Sequence, residues 1–357
     1  MPSRSIAFIS HPEPGQHIQP FPRPHLESFE NPLRAQMAEL HLRNRGLLDE
    51  MSVFEAVEAD SSDVLSVHSE YVLDTAMLMT DLGSGQLGEA AYASPELLRS
   101  ALLSTGGAKL AANLVTEPDY IHSFSLMRPP GHHATSSASM GLCYFNNIAI
   151  AARSIQTEVG IKRISIVDID DHFGNGTAEI FYSDPSVQYI SIHEYDYESL
   201  GLGHYYEVGQ GKAKGTNINI PLVEMSQDES YNSAFERVVL PAIKSFKPEV
   251  IGVSAGFDAH YSDPVGNMNI DSKTFWWIGR EVNSLVQDLK LQGSFWVLEG
   301  GYNPFSLGPC IEASLRGLAG EETPELEDQC ERVINQELID ANNEIIDAVL
   351  ETVEVYW

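Results

Sequence analysis

Six short runs of this sequence are almost continuously apolar: Ser5–Ser10, Ile121–Met127, Arg163–Asp168, Val187–His193, Glu249–Ala255 and Ser294–Leu298. Runs of that length without polar alternation suit strands covered on both faces. Longer stretches with helical periodicity lie between or beyond them, at Pro95–Val115, Tyr144–Glu158, Asp228–Phe246, Asp271–Lys290 and Gln336–Val355. The alternation predicts an α/β fold: a mainly parallel, multi-stranded sheet with helices on both faces. In the last stretch Leu338, Ile339, Ile345, Ile346, Val349, Leu350 and Val353 form one stripe, which reads as a terminal helix packed on the core. No internal repeat and no Pro/Gly/Ser linker divides the 357 residues, so residues 1–357 are expected to form a single domain.

Charge narrows the function classes. Lys and Arg number 21 against 51 Asp and Glu, a formal net charge of −30. A nucleic-acid binder needs a basic footprint, and an anionic membrane repels such a chain, so neither is an expected partner. The excess reads as solubility or salt adaptation, with attraction of cationic ligands secondary. No stretch approaches the roughly 18 apolar residues of a membrane span, and the apolar run after Met1 is too short for a signal segment. Three cysteines, Cys143, Cys310 and Cys330, make neither a disulfide framework nor a CxxC pair. A cytoplasmic chain with reduced thiols is expected, with homo-oligomerisation left open.

Polar clusters close five of the six apolar runs. They are Arg128-Pro-Pro-Gly-His-His-Ala134, Asp168-Ile-Asp-Asp-His172, Ser191-Ile-His193, Ser254-Ala-Gly-Phe-Asp258 and Leu298-Glu-Gly-Gly-Tyr302. In open α/β sheets the carboxyl ends of the strands line the ligand crevice, so five loaded ends point to one site. Asp168, Asp170 and His172 share parity and would project to one face if their strand ran on through them. Asp258 follows a strand that should be buried, where an unpaired carboxylate is costly. Two Asp and one His make a three-ligand set with an open position, as at a catalytic zinc. Asp171 has the opposite parity and reads as a solvated or helix-capping acid. The tandem His132-His133 suits proton handling beside a metal, and Tyr302 could reach a substrate oxygen. Cys143 reads as a small buried hydrophobe.

With these pieces assembled, the chain resembles the histone deacetylase superfamily, in its class II and bacterial/archaeal amidohydrolase-like branch, related to acetylpolyamine amidohydrolases. The resemblance is carried by Arg128–Ala134, Gly141-Leu-Cys-Tyr-Phe-Asn-Asn147, Val167–Thr177, Ser254–Ala259, Asp263-Pro-Val-Gly266 and Leu298–Asn303, in family order, and it runs from about residue 25 to Trp357. It implies an arginase/deacetylase-like fold and a zinc ion held by Asp170, His172 and Asp258. It further implies His133 as general base and then acid with Asn175 as its partner, and His132 paired with Asp168 as a cationic support. Tyr302 would polarise the amide carbonyl, and the Gly141 carbonyl would accept from the substrate amide, beside Leu142 on the tunnel wall. Arg34 looks like the arginine behind the metal near an acetate exit path. A structural K⁺ would use Asp168, Asp170, His172, Ser191 and Ile192. The implied substrate is an acetyl-lysine or another acylated amine.

Some positions depart from the family pattern. Phe173 stands where a second histidine is usual, which should touch packing more than ligation, and Asp171 replaces a commonly apolar residue. Leu142 stands where many members have Phe, and the other tunnel wall, expected within residues 197–203, contains no Phe. Val265 occupies the position of the glutamate gatekeeper of polyamine deacetylases, which leaves Glu89 or Glu198 as rim substitutes. The competing readings are an acetylpolyamine- or longer-acyl-specific amidohydrolase, an arginase-like ureohydrolase with two metals, and a non-catalytic binder of acylated ligands.

Overall fold

A computed structural model describes residues 5–13, 15–20, 26–195, 202–322 and 333–357. Its centre is an eight-stranded sheet in which every neighbouring pair runs parallel. In chain order the strands are β1 (Ser5–Ser10), β2 (Ser52–Glu55), β5 (Tyr120–Ser125), β6 (Ile164–Asp168), β7 (Val187–Glu194), β8 (Asn217–Leu222), β9 (Val250–Ala255) and β10 (Gly293–Leu298). The strands β3 (Gly85–Gly88) and β4 (Ala91–Ala93) form a separate antiparallel hairpin. Across the sheet the order is β2-β1-β5-β10-β9-β6-β7-β8. All six expected strands are present, with ends displaced by at most two residues.

The two strands of this sheet not anticipated by the apolar runs, β2 and β8, lie at its edges, and the separate β3–β4 hairpin is not anticipated either. Strand β2 alternates half-buried with exposed residues, and β8 interleaves Asn217 and Asn219 with Ile218 and Ile220. Pro221, which cannot donate to a ladder, sits on that outermost strand. Helix 228–246 is interrupted by a π-helical turn, Phe235–Val239, just before Pro241. The 144–158 stretch becomes helical only at Asn147, where Asn146 accepts a hydrogen bond from the Ala149 N–H at 3.1 Å.

Alternate strand residues feed two cores, one on each face of the sheet. Ile6, Phe8, Val167 and Val253 join one, under the helices Ser272–Leu289 and Leu307–Leu318. Ala7, Ile9, Ile164 and Ile166 join the other, under Leu97–Leu114 and Asn147–Ser154. The terminal helix Gln336–Val353 inserts Ile346, Val349 and Val353, each 0% exposed, into the first core. No described helix is long and apolar enough to cross a membrane.

Because every strand points the same way, the polar clusters that close β5, β10, β9, β6 and β7 emerge on one edge and from adjacent strands. The helix stripe gives a stability prediction. Ile346→Ala should cost about 2–5 kcal/mol by leaving a cavity in a closed core, measured as a lower denaturation midpoint in urea. An unchanged midpoint would mean that this helix is not part of the cooperative unit.

Candidate active site and metal centre

Strand β6 stops at Asp168, so Asp170 and His172 do not share a strand face; the chain bends after Ile169, whose N–H still donates to Ser254 O at 3.0 Å. The bend achieves the convergence expected from strand parity by another route. His172 Nδ1 lies 3.1 Å from Asp170 Oδ1 and 3.1 Å from Asp258 Oδ2. One ligand atom from each of the three residues lies within 4.8 Å of the other two. Asp170 Oδ2 also accepts from Gly300 N at 2.8 Å, and Asp258 Oδ1 from Asp171 N at 2.9 Å. Gly300 is required here, since a Cβ on it would stand 2.1 Å from Asp258 Oδ2 and 2.6 Å from Asp170 Oδ2.

Asp170 and Asp258 are 1% and 0% exposed. Two carboxylates this close and this dry repel each other and lose hydration, which a bound cation offsets. Burial and then the Asp170 charge push the Asp258 carboxyl above its usual range. One imidazole nitrogen and two carboxylates, with His172 still half-exposed, match the donor set of a zinc centre with an open position. The residues present therefore fit the metal that the sequence points to.

Asp171 corrects an expectation. It is neither solvated nor a helix cap but 0% exposed, and it accepts from Asn267 N and Met268 N, each at 3.0 Å. Once the chain leaves the strand at Asp168, parity no longer sends it outward, and its carboxylate anchors the segment after β9 instead. Phe173 packs on His193, with ring centroids 4.8 Å apart, in keeping with a packing role.

The tandem histidines sit beside this centre with their rings 4.1 Å apart. His132 Nδ1 is 3.1 Å from Asp168 Oδ2, and His133 Nδ1 is 2.7 Å from Asn175 Oδ1. Burial lowers the His132 pKa, but the Asp170 and Asp168 carboxylates outweigh it and hold the imidazole up to about 10. His133 has an amide partner instead; burial and then the His132 cation bring it down to about 3. Two adjacent histidines thus occupy opposite protonation states at neutrality: carboxylates hold the charge on His132, while burial and that neighbouring cation keep His133 neutral. Asp168 is held in turn by Tyr189, whose hydroxyl donates at 2.8 Å, and stands opposite Ser191 in the β6–β7 ladder, beside Ile192.

Gly141, with φ +57°, lies against the His133 ring so closely that a Cβ would approach Cδ2 to 2.4 Å. Leu142 follows, also in the left-handed region at φ 67° and 4% exposed. This strained pair is braced by the β3–β4 hairpin: Gly141 N donates to Glu89 O at 2.9 Å and Leu142 N to Ala90 O at 3.2 Å. Glu89 is exposed at that turn. Of the other expected tunnel wall, residues 197–201, including Glu198, lie outside the described residues.

Tyr302 is 6% exposed, and burial pushes its phenol well above the usual value, so it is a donor at neutral pH. The Arg34 guanidinium carbon stands 4.5 Å from the ring centroid. Arg34 also donates from Nε to Gly301 O at 2.7 Å, from Nη2 to Glu299 O at 2.6 Å and from Nη1 to Glu30 Oε1 at 3.1 Å. Glu30, itself buried, bridges onward to Arg128, whose Nε donates to Oε1 at 2.7 Å.

Two site residues escaped the sequence reading. Glu299 Oε2 accepts from Gly131 N at 2.6 Å and His132 N at 3.0 Å, and burial pushes its carboxyl up to about 7. With His132 and Cys143 it forms a second group of converging donors. Its carboxylate already serves two backbone N–H groups, however, and burial keeps the Cys143 thiol protonated. Asp263 joins the Tyr302 loop to the segment after β9. Both residues stand inside motifs that carried the family resemblance, Leu298–Asn303 and Asp263–Gly266, which was their one visible signal.

Comparison with known proteins agrees with this geometry. The family model described as "Histone deacetylase domain" matches residues 28–318. "Histone deacetylase 14, chloroplastic" of Arabidopsis thaliana is 34% identical over 300 residues, covering 81% of this chain and 70% of the relative. A "Probable deacetylase" of Methanothermobacter thermautotrophicus is 41% identical over 266 residues, covering 74% of this chain and 78% of the relative. The crystal structure of the HDA15 HD domain superposes with a TM-score of 0.88 at 29% identity, covering 99% of this chain and 95% of that one. The all-parallel sheet, the converging donors at its carboxyl edge and these matches together place the chain in the histone deacetylase domain family, whose members are typically zinc-dependent amide hydrolases.

Proposed function

We propose that this chain, as one catalytic domain spanning residues 1–357, hydrolyses the acyl amide of a lysine side chain or a small amine at the edge formed by β5, β10, β9 and β6. The observation that carries the reading is the meeting of Asp170, His172 and Asp258, with the His133–Asn175 pair beside them and the buried Tyr302 phenol within reach of the Asp258 and Asp170 charges. Asp170, His172 and Asp258 would hold one zinc ion, which when bound polarises a carbonyl and makes water a nucleophile near neutral pH.

The protein's own groups account for the remaining steps. His133, neutral and oriented by Asn175, takes a proton as water attacks the carbonyl carbon, then returns it to the departing amine nitrogen. The C–N bond breaks, leaving a carboxylate and a free amine. Tyr302 donates to the oxygen on which negative charge develops, and Arg34 holds the Gly301 carbonyl and the phenol ring in place. His132, cationic between Asp168 and Asp170, adds positive potential without needing to exchange its proton. The Gly141 carbonyl would take the substrate N–H, with Leu142 as an aliphatic wall. Asp168, Asp170, His172, Ser191 and Ile192 are the proposed seat of a structural K⁺, supported by the pairing of Asp168 with Ser191. Leu142 leaves the choice between acetyl-lysine, acetylpolyamine and longer acyl amines to a substrate panel. Cys143, a buried free thiol, accords with a reducing compartment such as the cytoplasm.

Two outcomes test the reading. Metal-stripped protein should release no acyl group from a fluorogenic acyl-lysine and should regain turnover with one zinc per chain. Turnover indifferent to chelator would refute it, and two manganese ions per chain would favour a ureohydrolase. Tyr302→Phe should lower kcat on the order of 100- to 1,000-fold with zinc content unchanged. A kcat near that of the wild type would remove Tyr302 from the mechanism.

A further inference from the structure

Asp263 occupies a junction that none of the proposed chemistry uses. Its Oδ2 accepts from Tyr302 N at 2.6 Å and from Asn303 N at 3.1 Å, while its Oδ1 accepts from Val265 N at 2.9 Å and Gly266 N at 3.4 Å. One carboxylate therefore ties two loops together. The first follows β9 and carries Asp258 five residues earlier; the second follows β10 and carries Tyr302. Asn303 returns the link, donating from Nδ2 to Ser262 O at 3.0 Å and to Ser262 Oγ at 2.9 Å.

We propose that Asp263 is the positioning residue for Tyr302, fixing the backbone from which the phenol reaches the reacting carbonyl and coupling it to the loop that bears Asp258. The argument is geometric. Tyr302 follows Gly301, whose φ of +107° gives that backbone a conformation few residues adopt, so the chain's path there needs an external anchor. Arg34 holds the carbonyl of the Gly301–Tyr302 peptide, and Glu299 O before it, while Asp263 holds the N–H of that same peptide and of the following one. Between them the tyrosine is held from both directions. The two anchors differ in origin: Arg34 comes from the N-terminal helix Leu33–Asn44, whereas Asp263 comes from the metal-bearing loop itself. A shift of Asp258 would thus be passed to Tyr302 through Asp263. Displacing a catalytic group by about 1 Å costs on the order of 100-fold.

The proposal rests on the deacylase reading above, and its test separates the two. Asp263→Asn is nearly isosteric but turns an amide NH2 toward two of the four N–H donors, and the Asn303–Ser262 contacts remain to keep the loops docked. Its kcat should fall roughly 10- to 100-fold with KM within about twofold of wild type and with zinc content unchanged. In a double-mutant cycle the Tyr302→Phe, Asp263→Asn variant should be no slower than Tyr302→Phe alone, because Asp263 acts through the phenol. Unaltered kcat in Asp263→Asn, or losses that multiply in the double variant, would overturn the assignment. If Asp263→Asn does not fold, Asp263→Ser is put through the same cycle with the same two outcomes. A 3-fluorotyrosine at position 302 supplies a readout independent of turnover: its ¹⁹F resonance should shift in the Asp263 variant, and an unmoved resonance would contradict the proposal. Absence of any zinc-dependent turnover in the wild type would instead count against the deacylase reading.

Discussion

The structure turns on two carboxylates, Asp170 and Asp258, held beside each other away from water. Leaving them unpaired would cost more than any single contact nearby returns. The surroundings meet that cost in two ways. Backbone N–H groups of Gly300 and Asp171 point at the carboxylate oxygens, and His172 completes a set of donors fit for a divalent cation. The wholly parallel sheet makes the meeting possible, because β6, β9 and β10 are neighbours whose carboxyl ends share an edge. Gly300 lets the last of these ends approach without a side chain in the way.

A second buried layer of charge supports the first. Glu30 lies between Arg34 and Arg128, and against its burial the Arg128 charge holds its carboxyl below the usual range. Through Arg34 this ion triad grips the Gly301 and Glu299 carbonyls, so the start of the helix Leu33–Asn44, with Glu30 just before it, takes part in shaping the tyrosine loop. The formal charge of −30 therefore overstates the acidity of the surface: Glu30, Asp168, Asp170, Asp171, Asp258 and Glu299 are all buried. The contrast between His132 and His133 follows from the same layering. His132 faces the Asp168 and Asp170 carboxylates and holds charge, whereas His133, buried beside that cation with an amide partner, stays neutral.

Much of this was legible in the residues. Strands buried on both faces wrote themselves as apolar runs, and the loaded ends identified the edge. Edge strands were not legible in that way: β8 mixes Asn217 and Asn219 into its pattern, and β2 is only four residues long. The Asp170–His172–Asp258 set was visible from chemistry and spacing, yet the reason given for it, strand parity, fails because β6 ends at Asp168. Asp171 was misread for the same reason. Asp263 and Glu299 stayed hidden because their partners are backbone N–H groups remote in sequence, and a sequence shows side chains, not the peptide groups they hold. The β3–β4 hairpin was missed likewise, since its docking to Gly141 and Leu142 is a backbone contact.

The central claim is that Asp170, His172 and Asp258 are built to hold a cation, and thermal unfolding tests it most directly. A ligand that binds only the folded state stabilises it by about 2.7 kcal/mol at one hundred times its Kd. The melting temperature of metal-stripped protein should rise progressively with added zinc, and Asp258→Asn should show no such rise. A wild-type melting temperature that ignores zinc, or an equal rise in Asp258→Asn, would contradict the account.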